Sequence, residues 1–265
     1  MTPNALLDCQ DQGRLWPHPP GAVGGADLDA AYQQALAVRA LRVARGERPV
    51  GYKIGFTNRT IWTRYNVFAP IWGPVWDSSV RHCDGSGTLS LAGTCQPRLE
   101  PEIVFGMRAT PKAGATPDEL FDVVEWLAPG FEVVQSHLPD WKFSATDTVA
   151  DSALHARLLV GARLPLRRLA ASAAGLDSLL AAAEVELLHD GSMVERGCGA
   201  NVLDSPLQAL HHFLGELRRC PGAPDLQPGD VVTTGTWTDA WPVEGGQTWT
   251  ARFSAPLGAL TVTLT

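Results

Sequence analysis

The chain has 265 residues, 45% of them hydrophobic, and a formal charge of −7, enough for a real core in one large or two modest domains. No run of basic residues gives a footprint for nucleic acid or an anionic membrane, so the expected partner is a small molecule. No stretch nears the roughly 18 apolar residues of a membrane span, and five irregularly spaced cysteines without C-x-x-C predict reduced thiols in a cytoplasm rather than a disulfide framework or zinc knuckle.

Residues 1–25 end in WPHPPGAVGG and are read as a breaker-rich opening segment. From Asp27, a plausible N-cap, Leu28, Ala31, Tyr32, Ala35 and Leu36 recur at helical spacing until Gly46. VGYKIGFTN (50–58) alternates like a strand, which stands Lys53 between Gly51 and Gly55. Residues 59–98 predict loops and short strands. TPDELFDVVEWLAPG (116–130) reads as one helix, with Thr116 and Glu119 as a capping box, Pro117 at N1, and Pro129-Gly130 as the stop. GFEVVQSHL follows as a strand. Asp190-Gly191 marks a hairpin, Ser205-Pro206 opens a helix ending at Arg218 and Arg219, and the rest is strand and turn.

The chemistry concentrates in LEPEIVFGM (99–107). As a strand it puts Glu100 and Glu102 on one face, about 7 Å apart at Cα, where both carboxylates can reach one cation. Pro101 cannot donate to a ladder, which predicts an edge, or the start of pairing beside a cavity. Hard oxygen donors without histidine or thiolate favour Mg²⁺ or Mn²⁺ over zinc. The plain alternative is a solvated edge whose glutamates pair with Arg98 or Arg108. Glu132 repeats the anomaly, a carboxylate leading the apolar run Phe131–Gln135.

GYKIGFT (51–57), LEPEIVF (99–105), GFEVVQS (130–136) followed by DWK and DTVAD, and LQPGDVVTTGT (226–236) followed by PVEGG occur in that order. The set resembles the 2-keto-4-pentenoate hydratase and 4-oxalocrotonate decarboxylase branch of the fumarylacetoacetate hydrolase superfamily, from about residue 27 to the C-terminus. The resemblance implies that Glu100, Glu102 and Glu132 bind one Mg²⁺ or Mn²⁺, with Lys53 acting near the substrate carboxylate and in proton transfer. Burial beside a cation would suit Lys53 to that role by lowering its pKa. It further implies an α+β fold, a fumarylacetoacetate hydrolase-like mixed β-sandwich roll with an N-terminal helical segment, and a homo-oligomer. The domain reading is a helical lead-in and first strand over 1–75, then a catalytic roll over 76–265.

Further candidates for the substrate pocket are Lys142, Thr236 and Asp77; a salt bridge to Asp140 or Asp147, a strand threonine and a solvated turn are their plain alternatives. The sequence departs from the family pattern at Phe68–Gly73 and Asp151–Leu154, both expected at the substrate end of the pocket. The expected activity is hydration of a 2-hydroxy-2,4-dienoate to a 4-hydroxy-2-oxo acid in aromatic-compound catabolism. The alternatives are a 2-oxo-3-enedioate decarboxylase, an acylpyruvate-type C–C hydrolase, and a non-catalytic β-roll that binds a ligand or partner.

Overall fold

The computed structural model describes residues 1–265. It opens with a helix that the breakers hid, α1 (Pro3–Gln12), capped by Thr2, whose hydroxyl accepts the Ala5 N–H at 3.3 Å. The second helix, α2 (Leu28–Ala44), starts at its expected cap, where Asp27 Oδ1 accepts the Ala30 N–H at 2.8 Å, and stops at Gly46, φ 99°.

In chain order there follow β1 (Pro49–Gly55), α3 (Trp62–Tyr65), β2 (Ile71–Trp76), β3 (Val80–His82), β4 (Ser86–Leu89), β5 (Arg98–Met107), α4 (Pro117–Val123) and β6 (Val124–Val134). Then come α5 (Ala145–Ala150), β7 (His155–Val160), β8 (Leu164–Pro165), α6 (Leu166–Leu169), α7 (Ala173–Ala182), β9 (Glu184–His189), β10 (Ser192–Cys198) and α8 (Pro206–Arg219). The chain ends with β11 (Val231–Thr233), β12 (Trp241–Pro242), β13 (Thr248–Phe253) and β14 (Ala259–Leu264).

Nine strands make a mixed sheet along the path β2-β1-β11-β5-β6-β7-β3, with β12 on β5 and β8 on β6; five make a second, β10-β9-β13-β14-β4. Only β1–β11, β3–β7 and β4–β14 pair in parallel. The main core includes Leu99, Ile103 and Phe105 of β5, Val185 and Leu187 of β9, and the Leu207, Leu210, Phe213, Leu214 and Leu217 stripe of α8. Each such large side chain contributes about 1.5–3 kcal/mol by leaving water. β9 and β10 form the expected hairpin, with Asp190 and Gly191 both at positive φ. The boundary expected at 75/76 passes through β2, and β1 and β2 pair inside the large sheet.

The helix expected over 116–130 is half right. The Thr116–Glu119 capping box is present, but α4 ends at Val123 and the chain turns straight into β6. β6 is buried on both faces apart from Glu125, so its near-continuous apolar run carried no period to separate strand from helix. Pairing decides: β5 and β6 run antiparallel from Arg98↔Val134 to Met107↔Val124. Pro129-Gly130 therefore lies within the ladder. A Cβ on Gly130, opposite Glu102, would come 2.5 Å from Val104 Cγ2, so glycine permits the close approach there.

β5 is also central rather than at an edge. Along its other side β11 covers Val104–Gly106 and β12 covers Arg98–Leu99, while the chain between them leaves regular pairing and touches β5 only through single bonds such as Thr234 N–H to the Ile103 carbonyl at 3.2 Å. Pro101 sits in that gap, its carbonyl accepting the Trp237 N–H at 3.1 Å. Within a strand the imino nitrogen points the same way as the carbonyl, so the proline costs no bond to β6.

Candidate metal centre

Alternation puts Glu100 and Glu102 on one face of β5, and the register sets Glu132 of β6 directly opposite Glu100. Ligand oxygens of these three carboxylates all lie within 4.8 Å of one another. β1 lies beside β11, with Lys53 in register with Thr233, and Lys53 Nζ is 3.3 Å from Glu132 Oε2. The Thr233 hydroxyl and the Gly235 N–H, the latter at 2.7 Å, both donate to Glu102 Oε2.

Glu102 and Glu132 are fully buried and Glu100 is half-buried. Burial, followed by the mutual repulsion of the carboxylates and opposed by Lys53, pushes Glu100 up to about 8 and Glu102 well above the usual carboxylate range. Burial also raises Glu132, against the pull of Lys53. Burial alone would lower Lys53, but Glu132, Glu100 and Glu102 together outweigh it and raise the ammonium. The lowering expected for Lys53 thus needs a cation that these carboxylates alone do not replace.

Two buried carboxylates and a half-buried one against one ammonium leave an excess of negative charge that low-dielectric surroundings make costly. Glu102 Oε1 is buried and accepts no hydrogen bond. An orphaned acceptor in a cluster of hard oxygens with this excess fits a divalent cation of the magnesium, manganese or calcium kind.

Behind the glutamates stands a group that strand alternation concealed. Two steps of β7, His155 to Arg157, face one step of β6, Val133 to Val134, and this bulge brings His155 to Glu132. His155 Nδ1 lies 2.8 Å from Glu132 Oε1, and Nε2 lies 2.9 Å from Ser79 Oγ. Burial, and then Lys53, hold this imidazole well below its ordinary pKa, so it is neutral. With Glu132 ionised, Nδ1–H donates to the carboxylate and Nε2 accepts from Ser79, fixing the orientation of Glu132.

Lys53 and Glu100 open into a cavity of about 250 Å³, otherwise walled largely by apolar groups such as Phe56, Ile71, Tyr65 and Phe143. Thr236 lines it too, although its hydroxyl is engaged by the Thr238 carbonyl (2.9 Å) and N–H (3.2 Å). Lys142 and Asp77 lie outside. Asp140 and Trp141 have left-handed backbones, φ 56° and 57°; Trp141 lines the cavity, while the Lys142 side chain is 74% exposed and pairs with Asp140 at 3.3 Å. Asp77 sits past the far end of β2 and accepts from the Arg48 backbone and guanidinium, each at 3.1 Å. Of the two departing segments, Ile71, Ala153 and Leu154 reach the cavity, whereas Phe68 is exposed.

Sequence reasoning missed His155, Ser79 and Thr233, and treated Arg98 only as a counter-ion. Arg98 shares a face with Glu100 and Glu102, which alternation signals, and it stacks over Trp141 at 4.3 Å in the cavity wall.

Residues 77–265 match the family described as fumarylacetoacetate (FAA) hydrolase C-terminal. A 2-hydroxyhexa-2,4-dienoate hydratase of Comamonas testosteroni is 32% identical over 220 residues, 83% of this chain and 80% of the relative. A 2-keto-4-pentenoate hydratase of Burkholderia vietnamiensis is 32% identical over 261 residues, 98% and 95% of the two chains. Among solved structures, the 4-oxalocrotonate decarboxylase of Pseudomonas putida G7 with magnesium and adipate superposes with TM-score 0.87 at 24% identity, over 99% of this chain and 95% of that one. The same enzyme with calcium and acetate gives 0.83 at 26%, over 99% and 97%.

Proposed function

The chain belongs to the fumarylacetoacetate hydrolase family, and on that premise we propose that it is a Mg²⁺- or Mn²⁺-dependent hydratase of a short 2-hydroxy-2,4-dienoate, acting in aromatic-compound catabolism as a cytoplasmic homo-oligomer. The observation that carries the proposal is the set Glu100, Glu102 and Glu132 within 4.8 Å, with Lys53 on Glu132, at the end of a small, largely apolar cavity. That cavity is below the roughly 300–1,000 Å³ of drug-sized pockets, a size for a short acid.

The three glutamates would hold the cation, with His155 and Thr233 orienting two of them. When bound, the divalent cation supplies an electrophile for the carboxylate and 2-oxo oxygens of the substrate. Lys53 would donate from Nζ to the terminal carbon of the dienol while the enol O–H proton passes to solvent, which returns a proton to the amine, giving the 2-oxo-3-enoic acid. Water then adds its oxygen to C4 and a proton to C3, giving the 4-hydroxy-2-oxo acid. Thr236 would receive a substrate carboxylate once its hydroxyl turns from Thr238.

One observation favours a second reading, decarboxylation of a 2-oxo-3-enedioate. Arg98 and Arg64 both line the cavity stacked on aromatic rings, at 4.3 Å over Trp141 and 5.4 Å over Tyr65, and neither forms a salt bridge. A substrate with a second carboxylate would supply one. The metal-loaded protein incubated separately with 2-hydroxypenta-2,4-dienoate and with 2-oxohex-3-enedioate decides the matter through dienol absorbance and CO₂ release. Hydration without CO₂ is expected; CO₂ release without hydration would transfer the assignment to the second reading.

A further inference from the structure

A second cavity, of about 470 Å³, lies between the N-terminal helices and the large sheet, and its chemistry is the reverse of the first. Four arginines line it, Arg42 and Arg45 of α2, Arg81 of β3 and Arg157 of β7, against two carboxylates, Asp11 and Glu47. Those carboxylates are already committed. Arg42 donates to Glu47, and Arg45 binds both Asp11 and Glu47. Arg81 and Arg157 have only backbone oxygens: Arg81 donates to Val80 at 2.9 Å, and Arg157 to Ala156 at 2.9 Å and Ala92 at 2.8 Å. Two guanidinium groups are thus left without a counter-charge in one concavity of a chain whose overall charge is −7.

Arg157 is half-buried, and burial followed by the charges of Arg42 and Arg81 lowers its pKa, the mark of cations crowded without an anion. Planar guanidinium forks match carboxylate and phosphate oxygens two at a time, and Ser90 adds a hydroxyl donor to the same wall, while Ser78 gives its proton to Glu47 Oε2 at 2.9 Å. We propose that this cavity is a binding site for a small multivalent oxyanion, of the phosphate or short dicarboxylate class, clamped chiefly by Arg81 and Arg157. Because Gln10 and the α2 arginines line the same cavity, a bound anion ties the helical lead-in to the sheet.

The test uses the full-length metal-loaded protein, titrated calorimetrically at constant ionic strength with inorganic phosphate in one arm and malonate in the other. Saturable binding of one anion per chain is expected in at least one arm, which also identifies the ligand class, together with a rise in Tm. Arg157→Gln, and independently the exposed Arg81→Gln, should each weaken it tenfold or more. Arg98→Gln, in the other cavity, should leave it unchanged. Absence of saturable binding in both arms overturns the proposal. So does equal affinity in folded Arg157→Gln and Arg81→Gln proteins, or a loss in Arg98→Gln instead, which would put the anion at the metal cavity. A change in oligomer size in either variant without a change in anion affinity would also overturn it, by assigning the arginines to a protein carboxylate.

Discussion

Glu102→Gln should move stability and metal binding in opposite directions. At an effective dielectric of about 20, two carboxylates at the 4.8 Å upper limit of these separations repel by about 3.5 kcal/mol, and closer ones by more. Lys53 offsets part of this, attracting Glu132 at 3.3 Å by roughly 5 kcal/mol and pulling on Glu100 and Glu102 as well, but with burial the balance still raises all three carboxyls. The amide keeps the shape, still accepts the Gly235 N–H, and removes two of the three repulsions. Against this, the variant gives up the attraction between Glu102 and Lys53, and the bonds from Thr233 and Gly235 lose their charge assistance, about 1 kcal/mol each. Partial solvation of Glu100 and proton uptake by the cluster reduce the gain further. A net stabilisation of about 1–3 kcal/mol is expected for the metal-free protein, at about 2–4 °C of Tm per kcal/mol for a chain this size. The rise in Tm that Mn²⁺ produces in the wild type should vanish in the variant, along with turnover. Thermal melts of both proteins, with EDTA and with Mn²⁺, read all four values. A metal-free variant that melts below wild type, or that keeps the wild-type response to Mn²⁺, refutes the electrostatic reasoning.

Other consequences are as direct. His155→Leu removes the donor that orients Glu132 and should cost 10–100-fold in Mn²⁺ affinity or activity, measured by metal titration and initial rates. Gly73→Ala would drive a Cβ to 2.2 Å from the Ser152 carbonyl, against the left-handed turn Ser152–Leu154 that walls the cavity; a loss of at least about 1–3 kcal/mol in denaturant melts is expected. In metal-free protein the raised pKa of Glu100, about 8, contributes stability that is present at acid pH and lost as pH rises through that value. His155, lowered from 6.5, acts oppositely but only below about pH 6.5. Metal-free Tm should therefore fall between pH 6.5 and 8.5, and saturating Mn²⁺ should abolish the fall; a flat or rising metal-free profile would contradict it.

The readable parts of the sequence were those written in local chemistry. Asp27, Thr116 and Ser205 cap helices where side chain and backbone meet three residues apart, and Asp190-Gly191 turns a hairpin. Strand alternation likewise put Glu100 and Glu102 together, because both side chains belong to one element. The errors arose where non-local pairing decides. β6 is buried on both faces, so only its ladder with β5 shows that Val124–Gly130 is not helix. A bulge opposite Val133–Val134 brings His155 to Glu132, and no periodicity announces a bulge. Two left-handed residues, Asp140 and Trp141, present the tryptophan to the cavity and the following lysine to solvent, which the local sequence of DWK does not reveal. α1 went unread because the breakers that follow it coloured the whole segment.

Anomalous scattering from crystals grown with Mn²⁺ tests most directly whether Glu100, Glu102 and Glu132 together supply the protein ligands of the metal. One strong peak per chain is expected, coordinated by Glu100, Glu102 and Glu132 together, and absent from Glu102→Gln crystals. A peak elsewhere, or one that survives the substitution, would contradict this ligand set.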